Sequence, residues 1–110
     1  MKMPFSEAAF VPTAKVTDYL LSRTHARGST KSVWFEALGF VIEKPDELIE
    51  ALLVHATHDV EQTEQTRYGT KYRIVGKIVG PNGLDGQLRS IWIVLDGEET
   101  PRLVTAYPSK

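Results

Sequence analysis

The apolar residues of this 110-residue chain change their spacing once, near Asp59, and that change governs what it can fold into. Before Asp59 they recur every three to four residues, the repeat of a helix with one buried face. After it they alternate, the repeat of a strand with one buried face. Helices gathered in one half and strands in the other exclude an alternating parallel plan. They predict an α+β fold, with about three N-terminal helices followed by a four-stranded antiparallel sheet.

The helical half divides at its breakers. Lys15–Leu21 is a short helix candidate, with Val16, Tyr19 and Leu20 at i, i+3 and i+4. Ser29 suits an N-cap, because its hydroxyl can accept from a free amide of the first turn. A second helix over Thr30–Leu38 would carry Val33, Trp34, Ala37 and Leu38 on its apolar stripe, and Gly39 suits the left-handed position that ends many helices. Pro45 suits the first turn of a third helix, and Asp46 and Glu47 complement the positive end of its dipole. Leu48, Ile49, Leu52, Leu53 and Ala56 continue its period. His55 and His58 fall in its last turn, where the dipole favours a cation.

In the second half, Val60–Tyr68 is polar and reads as an exposed edge strand. Thr70–Gly80 is a strand with Tyr72, Ile74, Gly76 and Ile78 on one face. Leu88–Leu95 alternates Ile91, Ile93 and Leu95 against Ser90, Trp92 and Val94. Leu103–Tyr107 is the last strand, stopped by Pro108. Pro81-Asn82-Gly83 and Asp96-Gly97-Glu98 are turn signals, and short turns make the neighbours antiparallel. Residues 1–12, with Pro4 and Pro12, form an arm whose Phe5, Phe10 and Val11 can dock on the core of a single domain spanning 1–110.

Composition narrows the function classes. The chain has no cysteine, which removes disulfides and thiolate metal sites. No apolar run approaches the roughly 20 residues that span a bilayer. The first twelve residues hold one lysine and no sustained apolar stretch, unlike a secretory signal. A cytoplasmic protein, or a module of a larger one, is expected, with no membrane partner. The net charge of −1 gives no global attraction to nucleic acid. Charge is uneven, however. Residues 1–35 carry five basic and two acidic groups, residues 36–65 one and eight, and residues 66–110 seven and four. Two basic ends that meet in space would make a local positive pocket on a neutral protein, and two that do not would be separate solvated faces.

The richest local feature is Ser22-Arg23-Thr24-His25-Ala26-Arg27-Gly28, followed by Lys31 at the start of the second helix. Arginine and lysine neutralise phosphate, and histidine moves protons near neutral pH. The segment reads either as a phosphodiester site or as a solvated basic loop. Thr105 and Tyr107, two apart on the last strand, put two hydroxyls on one face, either at a site or with the tyrosine ring packed in the core. Arg73 and Arg89 come from neighbouring strands and face either a common site or solvent. Trp34 and Trp92 read as core or subunit-contact residues. His55 and His58 are at i, i+3 beside Asp59, but a catalytic zinc site takes three protein ligands and no third is indicated. No P-loop, GxGxxG, HExxH, GxSxG or EF-hand pattern occurs, so neither a metal nor another cofactor is expected.

The order Lys15-Val16-Thr17-Asp18-Tyr19-Leu20-Leu21, His25-Ala26-Arg27-Gly28-Ser29-Thr30-Lys31, Trp34-Phe35-Glu36-Ala37-Leu38-Gly39-Phe40 resembles a bacterial family known as domain of unknown function 6883. Ser90-Ile91-Trp92 and Arg102-Leu103-Val104-Thr105-Ala106-Tyr107-Pro108 extend the resemblance to about residues 15–108. Similar domains occur alone and in bacterial polymorphic-toxin and phage-associated proteins. The layout also resembles the Barnase–EndoU–colicin–RelE group of metal-independent RNases. That resemblance implies a toxin-type RNase with RNA as partner and a site in the crevice between the first helical region and the sheet. His25 would act as general acid or base, with Thr105 and Tyr107 as its catalytic partners. Lys31 would bind the substrate phosphate, and Arg27, Arg23 and Arg89 are further candidates for that role.

A rival expectation is a non-enzymatic interaction module, antitoxin-like or structural. The acidic helix 45–56 and the polar edge strand 60–68 favour it, since an unpaired edge can pair with a protein partner or a second copy.

Overall fold

The computed structural model describes residues 1–22 and 29–109. The helical half begins with α1 (Thr13–Lys15), which runs on as a π-helical turn at Val16–Leu20. It continues with α2 (Ser29–Ala37) and α3 (Pro45–His55). The strands are β1 (Val60–Gln65), β2 (Gly69–Val79), β3 (Asp85–Leu95) and β4 (Arg102–Pro108). They form one antiparallel sheet in the order β1-β2-β3-β4, so the fold is α+β with helices before the sheet.

The helices end where local chemistry ends them. Gly39 takes φ 97° just past α2, and the Phe40 N–H returns to the Phe35 carbonyl at 3.2 Å, closing the last turn. Pro45 opens α3, with Asp46 and Glu47 in its first turn. The π-helical turn is marked by the Leu21 N–H bonding the Val16 carbonyl at 2.8 Å, five residues back. This wider turn buries Val16 and Leu20 and keeps Tyr19 only half-buried.

Ile74, Ile78, Leu88, Trp92, Leu103 and Ala106 supply the core face of the sheet, each no more than 3% exposed. Phe35, Leu48 and Leu52 cover it from the helices, and Phe40 from the segment after α2. Burying each large side chain contributes roughly 1.5–3 kcal/mol before entropy is counted. Of the two tryptophans, Trp92 is fully buried. Trp34 is half-buried and lies over Gly86, where an added Cβ would come within 2.7 Å of its ring.

Two expectations are corrected here. His55 does not serve as a cation at the α3 C-terminus. It is 1% exposed and sits under the sheet. The Trp92 Nε1–H donates to Ser90 Oγ at 2.9 Å, and Ser90 Oγ lies 2.8 Å from His55 Nδ1. His55 Nε2 faces the Leu88 and Gly76 carbonyls at 3.0 and 3.2 Å. Carbonyls only accept, so the proton is on Nε2 and the Ser90 hydroxyl donates to Nδ1. Burial pushes the pKa of His55 down, and the charge of His58 adds to this against the raising effect of the two carbonyls. The second correction concerns the arm. Met3 and Val11 dock on the core, whereas Phe5 and Phe10 are 39% and 48% exposed. Backbone pairing decides this. The Phe10 N–H donates to the Pro101 carbonyl at 2.8 Å, and the Leu103 N–H donates to the Phe10 carbonyl at 3.1 Å. Extended chain at Phe10 then turns Val11 inward.

Candidate functional site

The sheet has a second face, opposite the core. Cross-strand pairing puts Arg73, Ile91 and Thr105 in one row and Val75, Arg89 and Tyr107 in the next, all of them half-buried. Two bulges shape this face. The β3–β4 register slips between Ile91 and Trp92, which leaves Val104 extra and turns Thr105 outward from the core. The β1–β2 register slips between Val60 and Gln62, which leaves Glu61 unpaired in the ladder.

Tyr19, from the π-helical turn, and Lys31, from the first turns of α2, meet Thr105. The Lys31 ammonium donates to Thr105 Oγ1 at 3.0 Å and also to the Tyr19 hydroxyl. The two hydroxyl oxygens are 3.4 Å apart, where either can donate. Lys31 Nζ is 4.4 Å from the Tyr19 ring centroid and 6.0 Å from that of Tyr107. The Arg89 guanidinium lies 5.7 Å from the Tyr107 ring. Burial by itself would raise the Tyr19 pKa. Hydrogen bonds with Lys31 and Thr105, with the charges of Lys31 and Lys15, outweigh it and hold the phenol below its usual 10.0. A cation, two hydroxyls and a phenol of lowered pKa can bind a phosphate oxygen and move a proton.

Of the residues expected at a site, Lys31 and Thr105 are therefore in direct contact, and Tyr107 and Arg89 stand beside them. His25, Arg23 and Arg27 lie outside the described residues. Lys31 belongs to the basic first third of the chain and Arg89 to the basic last third, and each stands about 6 Å from the Tyr107 ring. The helical half contributes Tyr19 and Lys31, and the last strand contributes Thr105. The meeting place is the far face of the sheet, reached around β4. Tyr19 was not legible as a site residue, because its spacing fits an apolar helix face. Its hydroxyl was the available signal.

A hollow of about 260 Å³ continues from Thr105 along this face, lined by Gln62, Glu64, Lys71, Arg73, Ile91 and Val104, two cations against one carboxylate. A larger one, about 550 Å³, lies between the π-helical turn and the segment after α2. Its walls carry Asp18, Glu36 and Glu43, whose charges repel phosphate, so size alone does not mark the site. Among the described residues no cluster of three His, Asp or Glu is arranged to hold a metal ion. None of their helices is long and apolar enough to cross a membrane.

The family model of domain of unknown function DUF6883 matches residues 2–110, and the chain belongs to that family. No curated protein matches the chain. A chain from a contact-dependent growth inhibition toxin–immunity protein complex of Klebsiella pneumoniae 342 shares its fold, with a TM-score of 0.75. The two are 17% identical over 96% of this chain and 97% of that one.

Proposed function

Taking the chain as a member of that family, we propose that it is a toxin-type, metal-independent ribonuclease with its centre at Lys31, Tyr19 and Thr105. The convergence of Lys31 on both hydroxyls carries this reading, and Tyr107 and Arg89 on the same face support it. The fold shared with a chain of a toxin–immunity complex fits a toxin-type role and equally an antitoxin-like one.

In such a reaction the ribose 2′-oxygen attacks the adjacent phosphorus and the bond from phosphorus to the 5′-oxygen breaks. The products are a 2′,3′-cyclic phosphate and a 5′-hydroxyl. The 2′-hydroxyl gives its proton to a base, and the leaving 5′-oxygen takes one from an acid. Lys31 balances the charge that builds on the phosphoryl oxygens, and Thr105 orients one of them. Tyr19 and Tyr107 supply hydroxyls for the proton transfers, and His25, outside the described residues, is the acid or base that the family resemblance implies. The test is RNA cleavage in EDTA. Lys31→Ala should lower the rate by about 10²–10³-fold. His25→Ala should lower it by about 10²–10⁴-fold. Background cleavage by wild type and both variants alike removes the reading.

One observation favours a second reading. β1 is an edge strand whose residues after Val60 are all exposed, a surface on which another chain can add a strand. In that reading the chain is an interaction module that pairs with a protein partner or its own copy. Light scattering decides the self-pairing form. A monomer that cleaves RNA removes it.

A further inference from the structure

We propose that Arg73 and Arg89 form a second phosphate subsite for the RNA strand held at Lys31, and that the Glu61 carboxylate occupies this subsite until a phosphate displaces it. The inference rests on the ribonuclease reading and adds a determinant of how the strand is held. Glu61 Oε1 lies 2.9 Å from Arg73 Nε and 3.7 Å from an Arg89 terminal nitrogen, so one carboxylate serves two guanidinium groups. It reaches them because the β1 bulge frees Glu61 from the ladder. The pairing is incomplete. The Nε–H groups of Arg73 and Arg89 are both buried, and neither makes a hydrogen bond among the described residues. The approach of Glu61 to Arg73 Nε is close in distance but not aligned as a hydrogen bond. Gln62 takes a terminal N–H of Arg73. Two buried donors without acceptors are a reason to expect an anion with more oxygens than one carboxylate has. A phosphate supplies them and matches the guanidinium fork.

Position fits as well. Arg73 and Thr105 both pair with Ile91, and Arg89 is two residues from Ile91 on β3. Diagonal neighbours on one sheet face are about 7–8 Å apart, a single nucleotide step along a strand. The hollow over Ile91 and Val104 has both Thr105 and Arg73 on its walls and gives a base an apolar floor. Glu61 and Arg73 are 39% and 35% exposed at the side chain, so their ion pair is wet and exchangeable.

The experiment is fluorescence anisotropy of a labelled, short 2′-O-methyl RNA across a series of KCl concentrations. The methyl group blocks the attacking oxygen, so binding is read apart from cleavage. Arg73→Gln and Arg89→Gln should each weaken binding and reduce the slope of log affinity against log salt by about 0.7, the value for one phosphate of a single strand. Glu61→Gln should tighten binding by about two- to fivefold, the release of an exposed ion pair. Lys44→Gln, at the start of α3 on the other side of the sheet, should leave the slope unchanged. Glu61→Gln keeps the side-chain shape on an exposed edge strand, so it reads the subsite even if the arginine variants fold poorly. Unchanged or weaker binding by Glu61→Gln overturns the subsite, as do arginine variants with the slope of Lys44→Gln. If wild type still binds and cleaves, only the subsite falls. If wild type does not bind this RNA, the ribonuclease reading falls with it.

Discussion

The two faces of the sheet each carry a polar network, and they differ in how completely it is satisfied. On the core face, the Trp92 indole, the Ser90 hydroxyl and the His55 ring form a chain whose last proton goes to backbone carbonyls. Each of these side-chain groups is paired and each residue is at most 1% exposed. On the far face, Lys31, Tyr19 and Thr105 are half-buried and two arginine Nε–H groups have no acceptor among the described residues. A closed, dry network holds elements in register, because breaking it strands polar groups away from water. An open, wet one has capacity left for a ligand. The polar residues of the core face are therefore architecture, and those of the far face keep the open hydrogen-bonding capacity on which the proposed site rests.

The largest expected effect tests the first half of that contrast. His55→Ala removes a buried ring and leaves the Ser90 hydroxyl and two carbonyls unpaired. It should destabilise the fold by about 3 kcal/mol. A calorimetric Tm lower by about 10–15 °C would show it. Ser90→Ala strands the Trp92 indole N–H and His55 Nδ1 and should lose about 2 kcal/mol in a urea titration. On the ribonuclease proposal, both variants should still cleave RNA below their melting temperatures. Lost cleavage in a folded Ser90→Ala protein would break the separation of faces.

A smaller effect follows from acid. The neutral ring of His55 resists protonation when buried, so its pKa in the fold lies below the 6.5 it has when the chain unfolds. Below pH 6.5 the unfolded chain takes up a proton that the folded one refuses. Stability is therefore full above that pH and is lost as pH falls toward the lowered folded value, by up to about 1.4 kcal/mol per pH unit. Urea titrations on either side of pH 6.5 measure it, and the part due to His55 should vanish in His55→Gln. Identical profiles for the two proteins would mean that the ring is not held neutral.

Much of this was legible and some was not, for physical reasons that differ by residue. Pro45, Gly39 and the alternation around Ile74 and Trp92 act locally, so they announced the helix start, the helix end and the strands. His55 looked like a dipole partner because its spacing is local, while its partners Ser90 and Leu88 are more than thirty residues away. Alternation on β3 separates Ile91, Ile93 and Leu95 from Ser90 and Trp92 without saying which set is inside. The core took the set with the serine, because His55 and Trp92 satisfy its hydroxyl. Bulges have no signature in the pattern here, so neither the turning of Thr105 nor the release of Glu61 could be read in advance. Lys31 and Thr105 were readable as residue types suited to phosphate, and only the fold shows that they touch.

The smallest effect on stability belongs to Tyr19→Phe, and it tests the second half of the contrast. The substitution removes one oxygen that accepts from Lys31 and keeps the ring in place. Lys31 still has the Thr105 hydroxyl, and a half-exposed position lets water replace the lost partner. The fold should change by no more than about 0.5 kcal/mol. Cleavage should fall far more, by about 10²-fold, if the phenol donates or takes the proton in the reaction. The ratio of the two effects is the informative quantity. Ser90→Ala should show the reverse ratio on the other face of the same sheet. If Tyr19→Phe instead loses as much stability as Ser90→Ala and leaves cleavage untouched, the Lys31 cluster is a second structural clamp that pins the π-helical turn to β4. The site would then have to be sought farther along the face, at Arg73 and Arg89.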